Sequence, residues 1–392
     1  MNRFFRPALF LGMMFATVQV NAQEELEFHK EAWSASVKAA GEQNKFILVD
    51  AYTDWCGWCK VMDKKTFPDP KVAGYIRGNF YPVKMEMEKE ADGRKLSMKY
   101  HVNSFPTFLI FNPQGKLVYV SKGYQEPADY LATLEKALAS SPDNFAAYNA
   151  SSLEPGFPDF YVKMFDKTSK TKTEEKTVLD FLNAQTDKTS ELAWGVMWRF
   201  SSSMAGCGDM LLKHSAQLAE KYGREEVENS IVSVIYFKAG QANKSGDQSK
   251  LKEVLAMVDK HLTANQEEYK RGLSMNFFKA QKNWNSYADQ VSEMIKKSGY
   301  DGKENPVNEA AWTLYEECKD KRILGTAVVW MSNVVQTKPE YMYLDTYAAL
   351  LYATDNYKDA ETWAKKAIDA GKATGEDVSS TESLLQLIRT KR

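Results

Sequence analysis

The stretch "ILVDAYTDWCGWCK", residues 47–60, carries two cysteines three positions apart, directly after an apolar run and between two tryptophans. "FILVDAY" is short, apolar and rich in branched side chains, the pattern of a buried strand, and "CKVMDKKTF" then resumes helical spacing. The pair therefore falls at a strand-to-helix junction. Cys56 opens the helix, where unpaired backbone N–H groups and the helix dipole favour an anion. That lowers the thiol pKa and raises the fraction of thiolate, the form that attacks a disulfide. Cys59 lies one turn on, on the same face, placed to attack a mixed disulfide held by Cys56.

Zinc and a purely structural staple compete with this redox reading. Zinc takes four ligands, usually two such pairs or one pair with nearby histidines. No second C-x-x-C exists, and His29, His101, His214 and His261 are widely scattered. A redox pair is the reading adopted, with no metal and no cofactor implied. Spacing alone leaves open whether the pair donates or accepts electrons.

Working outward, helical and strand patterns interleave from Glu25 to about Ser140. "EAWSASVKAAGEQNK", "DPKVAGYIRGN" and "DGRKLSMKYHV" have helical spacing, and "FYPVKMEME" alternates like a strand. "FPTFLIFNPQGKLVYVSKGY" contains two strands around a turn at 112–115, and "PADYLATLEKALAS" closes as an amphipathic helix. The expected class is α/β over 23–140, a central mixed sheet with helices on both faces. Residues 141–158, rich in Ser, Pro and Asn, are expected as a linker to an all-helical domain over 159–392. Its clearest repeats fall within 273–373. "KAQKNWNSYA" (279–288) is similar to "YATDNYKDA" (352–360), and Ala327 and Trp330 match Ala360 and Trp363. This looks like degenerate tetratricopeptide-type helical hairpins. Trp194, Trp198, Trp312, Trp330 and Trp363 recur at helical spacing and are assigned to core.

The 392 residues are 44% hydrophobic and 26% charged with a net charge of −1, enough for more than one core. So even a balance gives no electrostatic reason to expect nucleic-acid binding. Residues 1–22, a basic start, an apolar run and small residues before Ala22, have the form of a cleaved secretory signal. The apolar run is shorter than the roughly 20 residues of a spanning helix, and no later stretch could cross a bilayer. An exported chain in a periplasm-like space is expected, without a membrane span after cleavage. Cys207 and Cys318 remain; helical packing buries single thiols as readily as export allows a bond, and their pairing stays open.

The motifs in this order resemble the thioredoxin-fold family. "ILVDAYTDWCGWCK" is similar to its active-site strand and loop, "SFPTFLIF" to its cis-proline segment, and "KGYQ" to the glycine after its last strand. "DWCGWCKVMDKKTFPDPKV" looks nearest to the exported branch, including the C-terminal domain of transmembrane thiol:disulfide interchange proteins. The likeness covers about residues 25–140. It implies Cys56 as attacking thiol, Cys59 as resolving thiol and Asp50 as a buried carboxylate able to relay the Cys59 proton. Lys84 matches a lysine that tempers that carboxylate. Pro106 is implied as cis, and Trp55, Gly57, Trp58, Phe105 and Pro106 as the substrate surface.

Trp58 departs from the Pro or His that many members carry there. It adds bulk and no charge, which points to a reductant or weak oxidant rather than a strong oxidase. His101 is expected at the surface, and Glu86 and Glu88 on the wet face of a strand. The function expected is an exported thiol:disulfide oxidoreductase, with reduction the favoured direction. Its partners would be protein disulfide substrates, an upstream thiol electron donor and a protein on the helical domain. The alternative is a scaffold whose helical repeats do the binding and whose thioredoxin-like domain is a recognition module.

Overall fold

A computed structural model describes residues 26–166 and 168–391. The signal-peptide expectation over 1–22 therefore lies outside the described residues. The chain divides into two compact units between Lys172 and Thr173.

In the first unit α1 (Trp33–Gln43) leads into β1 (Phe46–Tyr52), α2 (Gly57–Val61) and α3 (Pro70–Asn79). A π-helical segment, Met62–Thr66, continues α2. Next come β2 (Phe80–Glu86), α4 (Ala91–Tyr100), β3 (Thr107–Phe111), β4 (Leu117–Lys122) and α5 (Pro127–Leu138). The sheet order is β2-β1-β3-β4, with β1 parallel to β2 and antiparallel to β3, and β3 antiparallel to β4. β1 is buried along its central five residues, as a strand covered on both faces must be.

Local chemistry sets the element ends. Asp69 accepts from the N–H groups of Lys71 and Val72, and Pro70 starts α3, where its missing N–H is harmless. Between β3 and β4, Asn112 donates to the Lys116 carbonyl, and Gly115 takes a positive φ of 74° that suits glycine. Successive strand residues point to opposite faces. Phe108 and Ile110 therefore pack with Met62, Phe67 and Tyr130, while Phe111 meets Trp33 and Tyr100 at ring distances of 4.7 and 5.2 Å.

The expected linker segment and the first residues of the expected helical domain both contribute packing to this first unit. Tyr148 is buried 5.0 Å from the Tyr100 ring, and Tyr161, also buried, donates to the Met98 carbonyl at 2.7 Å. Apolar content carried by isolated tyrosines has no period, which is why this role was not visible in the pattern.

Two surface assignments are corrected. His101 is fully buried at the end of α4, its Nδ1 3.4 Å from the Tyr148 hydroxyl. Burial, with the charges of Lys122 and Lys99, pushes its pKa well below the usual histidine value. Glu86 is buried too, its carboxylate accepting from the N–H groups of Glu88 and Lys89 and closing the turn after β2.

The second unit is helical from Glu175–Ala184 to Ser379–Lys391. The two similar stretches fold alike. Lys282 and Asp355 both take positive φ, and the next residues, Asn283 and Asn356, each donate at 2.9 Å to a carbonyl five positions back. Such a left-handed closure ends one helix and lets the next begin. Ala327 and Trp330 lie on Lys321–Thr337, and their counterparts Ala360 and Trp363 on Tyr357–Thr374. Trp194 and Trp330 are buried, whereas Trp198, Trp312 and Trp363 are half-buried.

Cys207 and Cys318 are separate buried thiols. Cys207 sits in the first turn of Ala205–Tyr222, where Gly206 and Gly208 let Leu179 and Val234 approach closely. Burial pushes the Cys207 thiol up to about 12 and raises that of Cys318. Alkylation of the native oxidised chain should modify neither, and alkylation in denaturant both, read by mass spectrometry. A side chain at Gly93 would overlap the Glu86 carbonyl. Gly93→Ala should therefore destabilise the chain by about 2 kcal/mol, measured by urea unfolding.

Candidate active site

Cys56 and Cys59 form a disulfide, with Cα atoms 5.4 Å apart. Cys56 is the N-cap of α2, and the Cys59 N–H donates to its Sγ at 3.0 Å. The sequence thus delivers what a strand-to-helix junction requires: the backbone leaves β1, turns at 53–56, and presents the Cys59 N–H in the first turn of the helix to one sulfur. That arrangement favours negative charge on Cys56 once the bond is reduced.

Both cysteines are covered, each only 3% exposed. The exposed surface beside them is indole. Trp55 and Trp58 are 62% and 60% exposed. Each is anchored while remaining open: Trp55 packs edge-on to Phe105 at 5.7 Å and donates from Nε1 to Glu88 at 3.0 Å. Trp58 stacks on Tyr124 at 5.2 Å. An ion pair between Lys89 and Asp54 ties the turn after β2 to the loop carrying Trp55. The Phe105–Pro106 peptide is cis, and the Pro106 carbonyl accepts from the Gly123 N–H at 2.8 Å. Gly57 begins α2 with open space around its Cα.

Asp50 lies in the middle of β1 and is 1% exposed. The parallel register pairs it with Lys84 on β2, whose Nζ is 3.1 Å from Asp50 Oδ2. This is the ion-pair contact that the Asp50 carboxylate makes among the described residues. Burial pushes the Asp50 pKa up to about 6, against the opposing pull of Lys84. Lys84 also contacts Asp63 and lies over the rings of Phe28, Tyr52 and Phe67 at 5.7, 5.1 and 5.8 Å. Its own pKa is raised: burial opposes the charge, but the two carboxylates outweigh it.

Four residues around this site were given no site role from the sequence, Glu86 and Glu88 having been assigned to the wet face of a strand. Glu88 and Tyr124 hold the two indoles, Glu86 closes the turn that carries Glu88, and Asp63 shares Lys84. Only Asp63 left a legible signal, four residues after Cys59 on the same helical face.

The family model described as a thioredoxin-like domain matches residues 33–138. These residues form a thioredoxin-like domain, with the mixed four-stranded sheet and flanking helices described above. Thiol:disulfide interchange protein DsbD of Yersinia pestis is 30% identical over 125 residues, covering 31% of this chain and 21% of that protein. Protein disulfide-isomerase of Hordeum vulgare is 32% identical over 118 residues, covering 29% and 23%. The chain thus spans about a fifth of the length of the curated relatives it matches. A solution structure described as a candidate disulphide-isomerase from Bacteroides thetaiotaomicron is 32% identical, covering 30% of this chain and 95% of that one, at a TM-score of 0.28.

Asp50 carries a pH-dependent cost. The native carboxyl keeps its proton to about pH 6, whereas an unfolded aspartate loses it near 3.8. The native state therefore binds more protons in between, and stability falls as pH rises through that window. Asp50→Asn leaves Lys84 its contact with Asp63 and should stabilise the oxidised chain by about 2 kcal/mol at pH 8. The gain should vanish below about pH 4, as measured by urea unfolding at each pH.

Proposed function

We propose that this chain is a thiol:disulfide oxidoreductase that reduces disulfides in protein substrates through Cys56 and Cys59. The observation that carries the reading is the pair at the N-terminus of α2, with the Cys59 N–H directed at Cys56 Sγ at 3.0 Å. In the reduced enzyme the Cys56 thiolate attacks one sulfur of the substrate disulfide, forming a mixed disulfide and releasing the other sulfur as a thiolate. Asp50 accepts the proton of the Cys59 thiol, and the Cys59 thiolate attacks Cys56. The Cys56–Cys59 bond closes, and the second substrate sulfur leaves as a thiolate. Two enzyme thiols are oxidised and one substrate disulfide becomes two thiols; an upstream dithiol resets the pair. Asp50 suits this relay because its carboxyl binds and gives up a proton near neutral pH.

The exposed indoles of Trp55 and Trp58, with Gly57, Phe105 and Pro106, form the surface on which the substrate backbone lies. Lys84 tempers Asp50. Trp58 beside Cys59 supplies no charge to steady the Cys56 thiolate, which supports the reducing direction. Residues 1–22 direct export, to a periplasm in a two-membrane cell. The repeated helical hairpins, of tetratricopeptide type, hold a protein partner and so raise its concentration near Cys56. Among the described residues no helix is long and apolar enough to cross a membrane.

The near-complete cover over Cys56 favours one competitor, a scaffold whose thioredoxin-like domain only recognises its partner. Insulin reduction driven by dithiothreitol separates the two. The wild type should accelerate it, and Cys56→Ser should fall to the uncatalysed rate, a loss of about 100-fold or more. Equal inertness of both would leave the scaffold. Cys59→Ala, expressed in cells, should accumulate mixed disulfides on Cys56 whose partners mass spectrometry identifies.

A further inference from the structure

In the second unit three helices, Gln248–His261, Gln266–Ala280 and Trp284–Ser298, enclose a cleft of about 640 Å³. That volume lies in the range of small-ligand sites. The second and third of these helices form a hairpin around the left-handed turn at Lys282. Ser274 and Gln290 stand eight residues before and after that turn (282 − 274 and 290 − 282), so they come level across the hairpin. Arg271 precedes Ser274 by one turn on the same helical face. Leu255 of the first helix and the buried Met294 of the third line the cleft with apolar surface.

The charges of the cleft leave one cation over. Lys270, Arg271, Lys296 and Lys297 line it together with Glu267 and Glu293. Both acids are engaged by lysines: Glu267 lies 2.7 Å from Lys270 and 3.3 Å from Lys297, and Glu293 lies 3.7 Å from Lys296. Asp259 brings a further carboxylate to Lys270 at 2.9 Å. Arg271 is half-buried, yet it makes no ion pair or side-chain hydrogen bond among the described residues. Ser274 is only 6% exposed, and its hydroxyl and the half-buried Gln290 amide are likewise unused among the described residues. Covered donors ordinarily have partners. A guanidinium, a hydroxyl and an amide left open on one cleft therefore mark the place of an acceptor.

We propose that this cleft binds a carboxylate carried on an apolar stem, either an acidic side chain or the chain terminus of a protein partner. Arg271 holds it through two parallel N–H···O bonds, and Ser274 and Gln290 donate to the same oxygens. The planar fork of a guanidinium fits the two oxygens of a carboxylate, and one negative charge matches the one spare cation. A phosphate dianion would keep an uncompensated charge beside Glu267 and Glu293. Calling the carboxylate protein-borne rests on the partner-holding role proposed for the helical hairpins; the site itself does not.

The test uses the full-length oxidised protein with ¹⁵N-labelled arginine, the Arg271 Nε–H signal being assigned by its loss in Arg271→Gln. The probes are acetyl-Leu-Glu-Leu-amide, for a side chain, and acetyl-Leu-Leu with a free carboxylate, for a terminus; the tighter binder names the source. At least one should shift the Arg271 signal saturably with a Kd of about 1 mM or below. Acetyl-Leu-Gln-Leu-amide should not bind, and the phosphoserine peptide should bind no more tightly than the glutamate one. Arg271→Gln and Arg271→Lys should each weaken binding about tenfold, read from the peptide's own signals, because lysine keeps the charge and loses the fork. Absence of a saturable shift with both carboxylate peptides overturns the inference. Undiminished binding to Arg271→Lys, or tighter binding of the phosphoserine peptide, does so too. Arg271→Gln added to Cys59→Ala should lower the yield of mixed disulfides trapped in cells. An unchanged yield with peptide binding intact would refute the partner-holding role and leave the site standing.

Discussion

One ammonium group compensates the carboxylate buried at the centre of this sheet, and much of the site's chemistry depends on that contact. Desolvating a carboxylate costs several kcal/mol, and a single partner offsets this only when the geometry is close. Here Lys84 meets Asp50 at 3.1 Å, and a second acid contacts the same lysine. The net result is a carboxyl that keeps its proton to about pH 6. A fully compensated ion pair would be inert to proton traffic; an uncompensated acid would never ionise.

That balance is a property of strand register. The parallel pairing of β1 with β2 sets Asp50 opposite Lys84, and a slip of one residue would send Lys84 to the other face. The register is held by continuous burial of β1, since every alternative exposes part of an apolar run. The same strand ends at the turn that presents Cys56 to the start of α2. The core that stabilises the domain therefore also aims the sulfur and places the acid.

The surface next to the cysteines has a different origin. Large exposed apolar side chains are uncommon unless they meet something, and Trp55 and Trp58 are each more than half exposed beside an almost closed disulfide. Neither ring is loose: Phe105 and Glu88 hold one, Tyr124 the other. Holding an indole in place before contact lowers the entropy lost when a partner binds. The anchors come from the turn after β2, from the cis-proline segment and from the residues after β4, far apart in the chain.

Much of the active domain was legible in the sequence because its signals are local. A β-branched and apolar run makes a strand, a strand running into a helix puts the first cysteine at a cap, and Asn-Pro-Gln-Gly makes a turn; none of these needs a distant partner. The repeated helical turn was legible for the same reason, since Asn283 and Asn356 close their helices with contacts five residues away. Tertiary structure alone decided that His101 and Glu86 are buried, that Tyr148 and Tyr161 pack onto the first unit, and that Cys207 and Cys318 stay apart. It alone decided that Asp63 shares Lys84. Those outcomes depend on which surfaces meet across tens of residues, and a polar side chain in a sequence carries no mark of whether water or another chain segment will satisfy it.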